Sequence, residues 1–159
     1  MPNITIYTDG SALGNPGPGG YGIVLMSGVH RKELSQGYKL TTNNRMELLA
    51  VIVALESLKF GKSDVTVYSD SKYVIDAVEK KWVYSWKQKN FKKKKNPDLW
   101  LRFLNIYEKH NVKFVWVKGH SNVKENEVCD KLAVAAANSK KLIIDSYYEN
   151  IQQAENKMF

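Results

Sequence analysis

The stretch TIYTDGS, residues 5–11, decides the reading of the fold, because VTVYSDSK, residues 65–72, writes almost the same words again. Each alternates in the manner of a strand, with Ile4, Ile6 and Thr8 on one face and Thr5, Tyr7 and Asp9 on the other. In the echo, Val65, Val67 and Ser69 oppose Thr66, Tyr68 and Asp70. Asp9 and Asp70 therefore share a phase, each at the carboxyl end of its strand. If the two strands are parallel neighbours, they run about 4.8 Å apart. Two acids then stand side by side at the sheet edge where open α/β folds bind ligands. Adjacent carboxylates repel, which raises a pKa or calls in a cation. Oxygen-only ligands select a hard cation such as magnesium or manganese. The plainer alternative makes Asp9 the start of a turn and Asp70 a helix cap; the matched phase weakens it for the pair.

Working outward, GSALGNPGPGG has the composition of a loop. YGIVLM and RKELSQGYKL read as a hairpin that turns at Ser27-Gly28. TTNNRMELLAVIVALESLKFG is a helix, with Asn44 and Glu47 spaced as a capping box. Ser71 caps a short helix over SKYVIDAVEKK, and Asn96 with Pro97 opens another. NVKFVWVKGH is a fifth strand, and Asn122 with Glu125 heads a final long helix. Short links make the first three strands antiparallel, and helical crossovers make the last two parallel. The expected fold class is α/β: a mixed five-stranded sheet, three antiparallel strands then two parallel, flanked by helices. The catalytic unit is expected to span residues 1–141. Residues 142–159 show no clean period and read as a loosely packed tail.

With 159 residues and 43% hydrophobic content, the chain can form one domain with a real core. The longest apolar run, LLAVIVAL, is too short to span a membrane. The amino terminus carries no signal-peptide pattern. The single cysteine, Cys129, cannot form an internal disulfide and fits a reducing compartment. A cytoplasmic location is expected.

The net charge of +8 is localised. Eight lysines and no acid lie between Lys80 and Pro97, and the other 16 of the 24 basic residues balance the 16 acidic ones. Such a patch is a footprint for a polyanion, most often nucleic acid. A solvated lysine loop is the plain alternative.

Three further residues can carry chemistry. Glu47 is explained by capping, yet it also lies in the first turn of a helix that could bring it to the Asp9–Asp70 edge. Asp130 borders the apolar face of the last helix and wants a partner there. His120, in WVKGHSN, titrates near neutrality and could shuttle protons.

The strings TDGSALGNPGPGGYG, TTNNRMEL, SDSKYV, WVYSWKQKNFKKKK and VKGHSNVKENEVCDKLA, in that order, make the chain resemble bacterial type I ribonuclease H from about Asn3 to Lys140. The resemblance implies an endonuclease that cuts the RNA strand of an RNA–DNA hybrid, leaving 5′-phosphate and 3′-hydroxyl ends. It implies four metal ligands, Asp9, Glu47, Asp70 and Asp130, and His120 assisting proton transfer or product release. By family analogy two Mg2+ ions act together, with Mn2+ as a substitute. Asp9 falls between them, Glu47 toward one, and Asp70 and Asp130 toward the other.

The resemblance also implies the substrate contacts. Gly10, Ser11, Asn43 and Asn44, with Asn15, lie beside the RNA strand, whose 2′-hydroxyls line a shallow minor groove. Asn15 and Thr42 resemble a pocket for a DNA phosphate. The segment around residues 80–97 looks like the family's basic protrusion, with Trp82, Trp86, Lys87 and Lys89 toward the DNA strand. Lysines grip phosphates without reading sequence, so little sequence preference and strong salt dependence are expected. Lys72 stands where the family usually has Gln, and SNVKEN replaces a Gly-His-Pro-like run. The default oligomeric state is a monomer. A non-catalytic binding module on the same fold would lack the acids present here. An integrase or junction resolvase would not call for the Gly/Asn loop and basic segment.

Overall fold

The computed structural model describes residues 2–59, 61–119 and 123–157. The elements run β1 (Asn3–Ala12), β2 (Gly17–Ser27), β3 (His30–Thr41), α1 (Asn43–Glu56), β4 (Asp64–Ser69), α2 (Lys72–Glu79), α3 (Trp82–Gln88), α4 (Pro97–Tyr107), β5 (Asn111–Trp116), α5 (Lys124–Ala137), β6 (Leu142–Ile143) and α6 (Ser146–Lys157). The sheet order is β5-β4-β1-β2-β3-β6. β1, β2 and β3 pair antiparallel, while β4 joins β1 and β5 joins β4 in parallel. This is the mixed sheet expected, with a sixth, two-residue strand added parallel to β3.

α1 is the central helix. Nine of its fourteen residues are buried, more than a single apolar stripe supplies, because it has neighbours on two sides. Leu48, Val51, Ile52 and Leu55 lie in one core with Ile6, Ile23, Val65 and Val67 of the sheet and Trp100, Phe103 and Leu104 of α4. Fully burying each large apolar side chain contributes about 1.5–3 kcal/mol. α5 covers the opposite face. Gly22 of β2 lies so close to the Cys129 carbonyl that a Cβ would collide with it.

Four local expectations change. β1 does not end at Asp9. Gly10, Ser11 and Ala12 continue the ladder against Tyr21, Gly20 and Gly19, because backbone pairing there outweighs the poor strand propensity of glycine. The loop shrinks to Leu13–Pro16, with a cis peptide between Asn15 and Pro16.

The cap of α1 is Thr42, not Asn44: its side chain accepts a hydrogen bond from the Arg45 amide at 3.2 Å. Glu47 then lies beyond the capping-box position and is free for another role. Ser71 does cap α2, accepting from Val74 at 3.2 Å. Asn96 precedes α4 as expected but makes no side-chain cap. Instead it donates to the Tyr73 hydroxyl at 2.9 Å and accepts from Arg45. Asn122 lies outside the described residues, and α5 has no side-chain cap.

Residues 142–157 are not a loose tail. Asp145 is buried and accepts from Arg45 Nε at 2.7 Å, Arg45 Nη2 at 2.9 Å and Thr41 Oγ1 at 2.8 Å. Arg45 also pairs with Asp98 at 2.7 Å. A segment fastened by one buried acid need not show apolar periodicity, which is why the sequence hides it. No helix among the described residues is long and apolar enough to cross a membrane.

Candidate active site

Asp9 and Gly10 point to opposite faces of the sheet, as neighbours in a strand must. Gly10 packs against the α1 backbone at Met46 and Glu47, and a Cβ on it would collide there. Asp9 pairs in register with Gly22, the residue under α5. β1 thus delivers its carboxylate on the α5 face while letting α1 approach from the other. The parallel register Tyr7↔Tyr68, carried two residues on, sets Asp9 opposite Asp70. Carboxylate oxygens of Asp9, Glu47 and Asp70 all lie within 4.8 Å of one another. Asp130, on α5, lines the same pocket of about 500 Å³. Asp70 sits where β4 ends and α2 begins, and its carbonyl accepts from Trp116 Nε1 at 3.3 Å.

The electrostatics are those of an anionic hole. Asp9 is only 8% exposed, and its pKa is pushed up to about 7, first by burial. The charges of Asp70 and Asp130 add to the rise. Burial also drives the Glu47 carboxyl well above its ordinary value, and the facing charge of Asp9 adds to it. Glu47 Oε2 is buried with no hydrogen-bond partner. A buried carboxylate oxygen without a donor, inside a cluster of acids, fits a hard divalent cation. The residues present suit such an ion: among the described residues, the clustered ligand atoms are all carboxylate oxygens.

Eight of the other expected residues line two adjoining spaces. Gly10, Ser11, Asn43, Asn44 and Lys72 line the carboxylate pocket. Asn15, Thr42, Asn44 and Trp86 line an adjoining groove of about 710 Å³. Asn15 Oδ1 accepts from the Asn43 amide at 3.2 Å, and Asn43 Oδ1 accepts from Ala12 at 2.6 Å, so these amides also tie the loop to α1. The ammonium of Lys72 lies 4.3 Å from the Trp116 ring centroid. Trp82 and Trp86 part company despite their four-residue spacing. Trp86 packs edge-on to Trp100 at 5.8 Å, whereas Trp82 is 45% exposed beneath the Lys80 ammonium. Lys87 and Lys89 are exposed at the end of α3 and line neither space. His120 lies outside the described residues.

Asn126 and Glu127, which no motif in the sequence singles out, line the carboxylate pocket too. The signal for Asn126 is its place four residues before Asp130, one turn along the same helix face. Its Oδ1 is buried without a partner.

A family model described as RNase H matches residues 1–138. The chain is 56% identical to a ribonuclease H of Trichodesmium erythraeum over 151 residues, covering 92% of this chain and 96% of that one. It is 55% identical to a ribonuclease H of Desulforamulus reducens over 150 residues, covering 91% and 94%. It is 52% identical to ribonuclease HI of Synechocystis, covering 91% and 94%. Among solved structures, LC9-RNase H1, a type 1 enzyme with a type 2 active-site motif, superposes with a TM-score of 0.79 at 32% identity, covering 94% of this chain and 80% of that chain. LC11-RNase H1, solved with an RNA/DNA hybrid, superposes with a TM-score of 0.65 at 29% identity, covering 85% and 96%. With its sheet, its acidic pocket and nearly its whole length matched, the chain belongs to the ribonuclease H family and is an enzyme of that kind.

Proposed function

We propose that this chain hydrolyses the RNA strand of RNA–DNA hybrids by a two-metal-ion route, leaving 5′-phosphate and 3′-hydroxyl ends. The observation that carries the reading is the clustering of Asp9, Glu47 and Asp70 at one sheet edge, with Asp130 in the same pocket. The hybrid bound to LC11-RNase H1 supports the choice of substrate.

Asp9, Glu47, Asp70 and Asp130 would hold Mg2+, with Mn2+ as a substitute. When bound, a pair of such ions lowers the pKa of the attacking water, stabilises the departing 3′ oxygen and screens the scissile phosphate. The carboxylates supply the negative charge that holds the ions. Gly10 and Ser11 let the RNA backbone approach closely. Asn43 and Asn44 offer amides that both donate to and accept from 2′-hydroxyls. Thr42 and Asn15 grip a DNA phosphate. Trp82, Trp86, Lys87, Lys89 and the following lysines hold the DNA strand by charge and ring contact. Lys72 adds a cation beside the RNA strand. His120 assists proton transfer or product release. The catalytic domain takes in residues 1–141 together with the segment that Asp145 fastens to α1, and it acts as a cytoplasmic monomer.

The deciding experiment incubates end-labelled RNA–DNA hybrid with the protein and magnesium, beside double-stranded RNA and double-stranded DNA. Only the RNA of the hybrid should be cut, giving 5′-phosphate products. Equal cutting of all three duplexes, or of none, would defeat the reading.

A further inference from the structure

The groove of about 710 Å³ beside the carboxylate pocket has a wall that family resemblance does not account for. One side carries Asn15, Thr42, Lys94 and Lys95. The other is α6, which contributes Tyr147, Tyr148, Gln152 and Glu155. Asn44 and Tyr73 line both spaces, so the groove continues the carboxylate pocket.

α6 is held at this place by specific chemistry. Asp145, just ahead of it, is bound to Arg45 and Thr41. The rings of Tyr147 and Tyr148 lie 5.5 and 5.8 Å from the Arg45 guanidinium carbon. Arg45 is itself the third helical residue after the Thr42 cap. Beyond the tyrosines the helix carries only Ile151 and Ala154 as apolar residues, and none of its residues is buried, so an apolar core does not explain its position. A duplex that leaves the carboxylate pocket along this groove meets lysines on one flank and tyrosine and amide side chains on the other. Lysine suits phosphates, and tyrosine offers a ring face and a hydroxyl.

We infer that α6 is the outer wall of the DNA-strand groove, so that the DNA backbone runs between Lys94–Lys95 and the Tyr147–Gln152 face. This rests on the hybrid-substrate reading, since Asn15 and Thr42 identify the strand in the groove as DNA. Among the described residues that line the groove, Glu155 is then the one acidic side chain, and it repels the strand.

The test is the variant Glu155→Lys, at an exposed position on the helix. Affinity for a fluorescent RNA–DNA hybrid is measured by anisotropy in EDTA, so that no strand is cut. We expect Kd to fall about threefold near 0.1 M salt, and the slope of log K against log salt to steepen by about one. With a hybrid whose DNA strand carries neutral methylphosphonate linkages, Kd should be the same for the variant and the unaltered protein. No gain on the ordinary hybrid would overturn the inference, as would an equal gain on both hybrids. A second variant, Tyr148→Ala, should weaken binding of the ordinary hybrid severalfold while the thermal midpoint moves little; unchanged binding by this variant also counts against the wall. If the unaltered protein binds neither hybrid, the substrate reading itself fails.

Discussion

The rings of Tyr7 and Tyr68 stack with centroids 4.9 Å apart and planes 15° from parallel. The two residues are paired in the parallel register of β1 and β4, and each stands two places before a carboxylate. The stack therefore locks the phase that brings Asp9 beside Asp70. A slip of one residue would send every side chain of one strand to the wrong face. β4 stops at Ser69, while β1 continues along β2 to Ala12. The sheet opens after the stacked pair, and the two acids occupy the opening.

Asp9→Asn should reduce hybrid cleavage at saturating magnesium by about a thousandfold or more, because it removes a charge from the centre of the cluster. The far-ultraviolet circular dichroism should remain that of the unaltered protein. Retention of full activity would show that the cluster is not the site.

The same substitution should behave oppositely for stability. The Asp9 carboxyl has its pKa raised in the folded state to about 7 from an ordinary 3.8. The folded protein therefore binds the proton more tightly than the unfolded chain does. Stability is full below about pH 4, falls as pH rises through the raised pKa, and is lowest above it. In metal-free protein, Asp9→Asn should thus raise the melting temperature at pH 8 by roughly 3–8 °C and leave it almost unchanged at pH 4. Magnesium should stabilise the unaltered protein more at pH 8 than at pH 5. Parallel melting curves for both proteins across this range would rule out the buried-charge account.

Asp145→Ala should cost about 3 kcal/mol in urea denaturation, since it leaves the buried Arg45 guanidinium with part of its hydrogen bonding unmade. Burial pulls the Arg45 pKa down, but the bonds to Asp98 and Asp145 more than offset this and hold the side chain charged. A midpoint equal to that of the unaltered protein would show that residues 142–157 do not fasten the fold.

Gly10→Ala should lower both stability and activity. The added methyl meets the backbone of Met46 and Glu47, so α1 must shift and carry Glu47 with it. Overpacking of this kind costs about 1–3 kcal/mol. A variant with normal melting temperature and normal kcat would mean that the sheet accommodates the methyl without moving the helix.

Replacing Lys92, Lys93, Lys94 and Lys95 by serine should raise KM for the hybrid and flatten its salt dependence, with the slope falling by about one for each phosphate left without its lysine. kcat should change much less, because these lysines lie away from the carboxylates. A salt slope identical to that of the unaltered protein would exclude the segment from binding.

The pairing senses of the strands and the shared phase of Asp9 and Asp70 were legible in the sequence because they rest on local alternation and on connection length; that β4 lies beside β1 came from the fold. Glu47 was ambiguous for a physical reason: Asn44 and Glu47 have capping-box spacing, and only the choice of Thr42 as the actual cap removes that explanation. Asp130 lay near the apolar face of a helix, where sequence cannot say which strand that face meets. Trp82 and Trp86 share a helical face by spacing, yet one finds Trp100 and the other solvent.

By itself the sequence determined the mixed sheet, the matched phase of Asp9 and Asp70 and the concentration of positive charge, since period, phase and composition are local properties. The tertiary structure alone decided that β1 runs past its acid, that Glu47 joins Asp9 and Asp70, and that the carboxyl-terminal segment folds back through Asp145 onto Arg45. Each of these depends on contacts between residues distant in the chain: α1 against Gly10, and a single buried ion pair across 100 residues. No repeat or period announces such contacts, because they involve one to three residues of each partner element rather than a whole face.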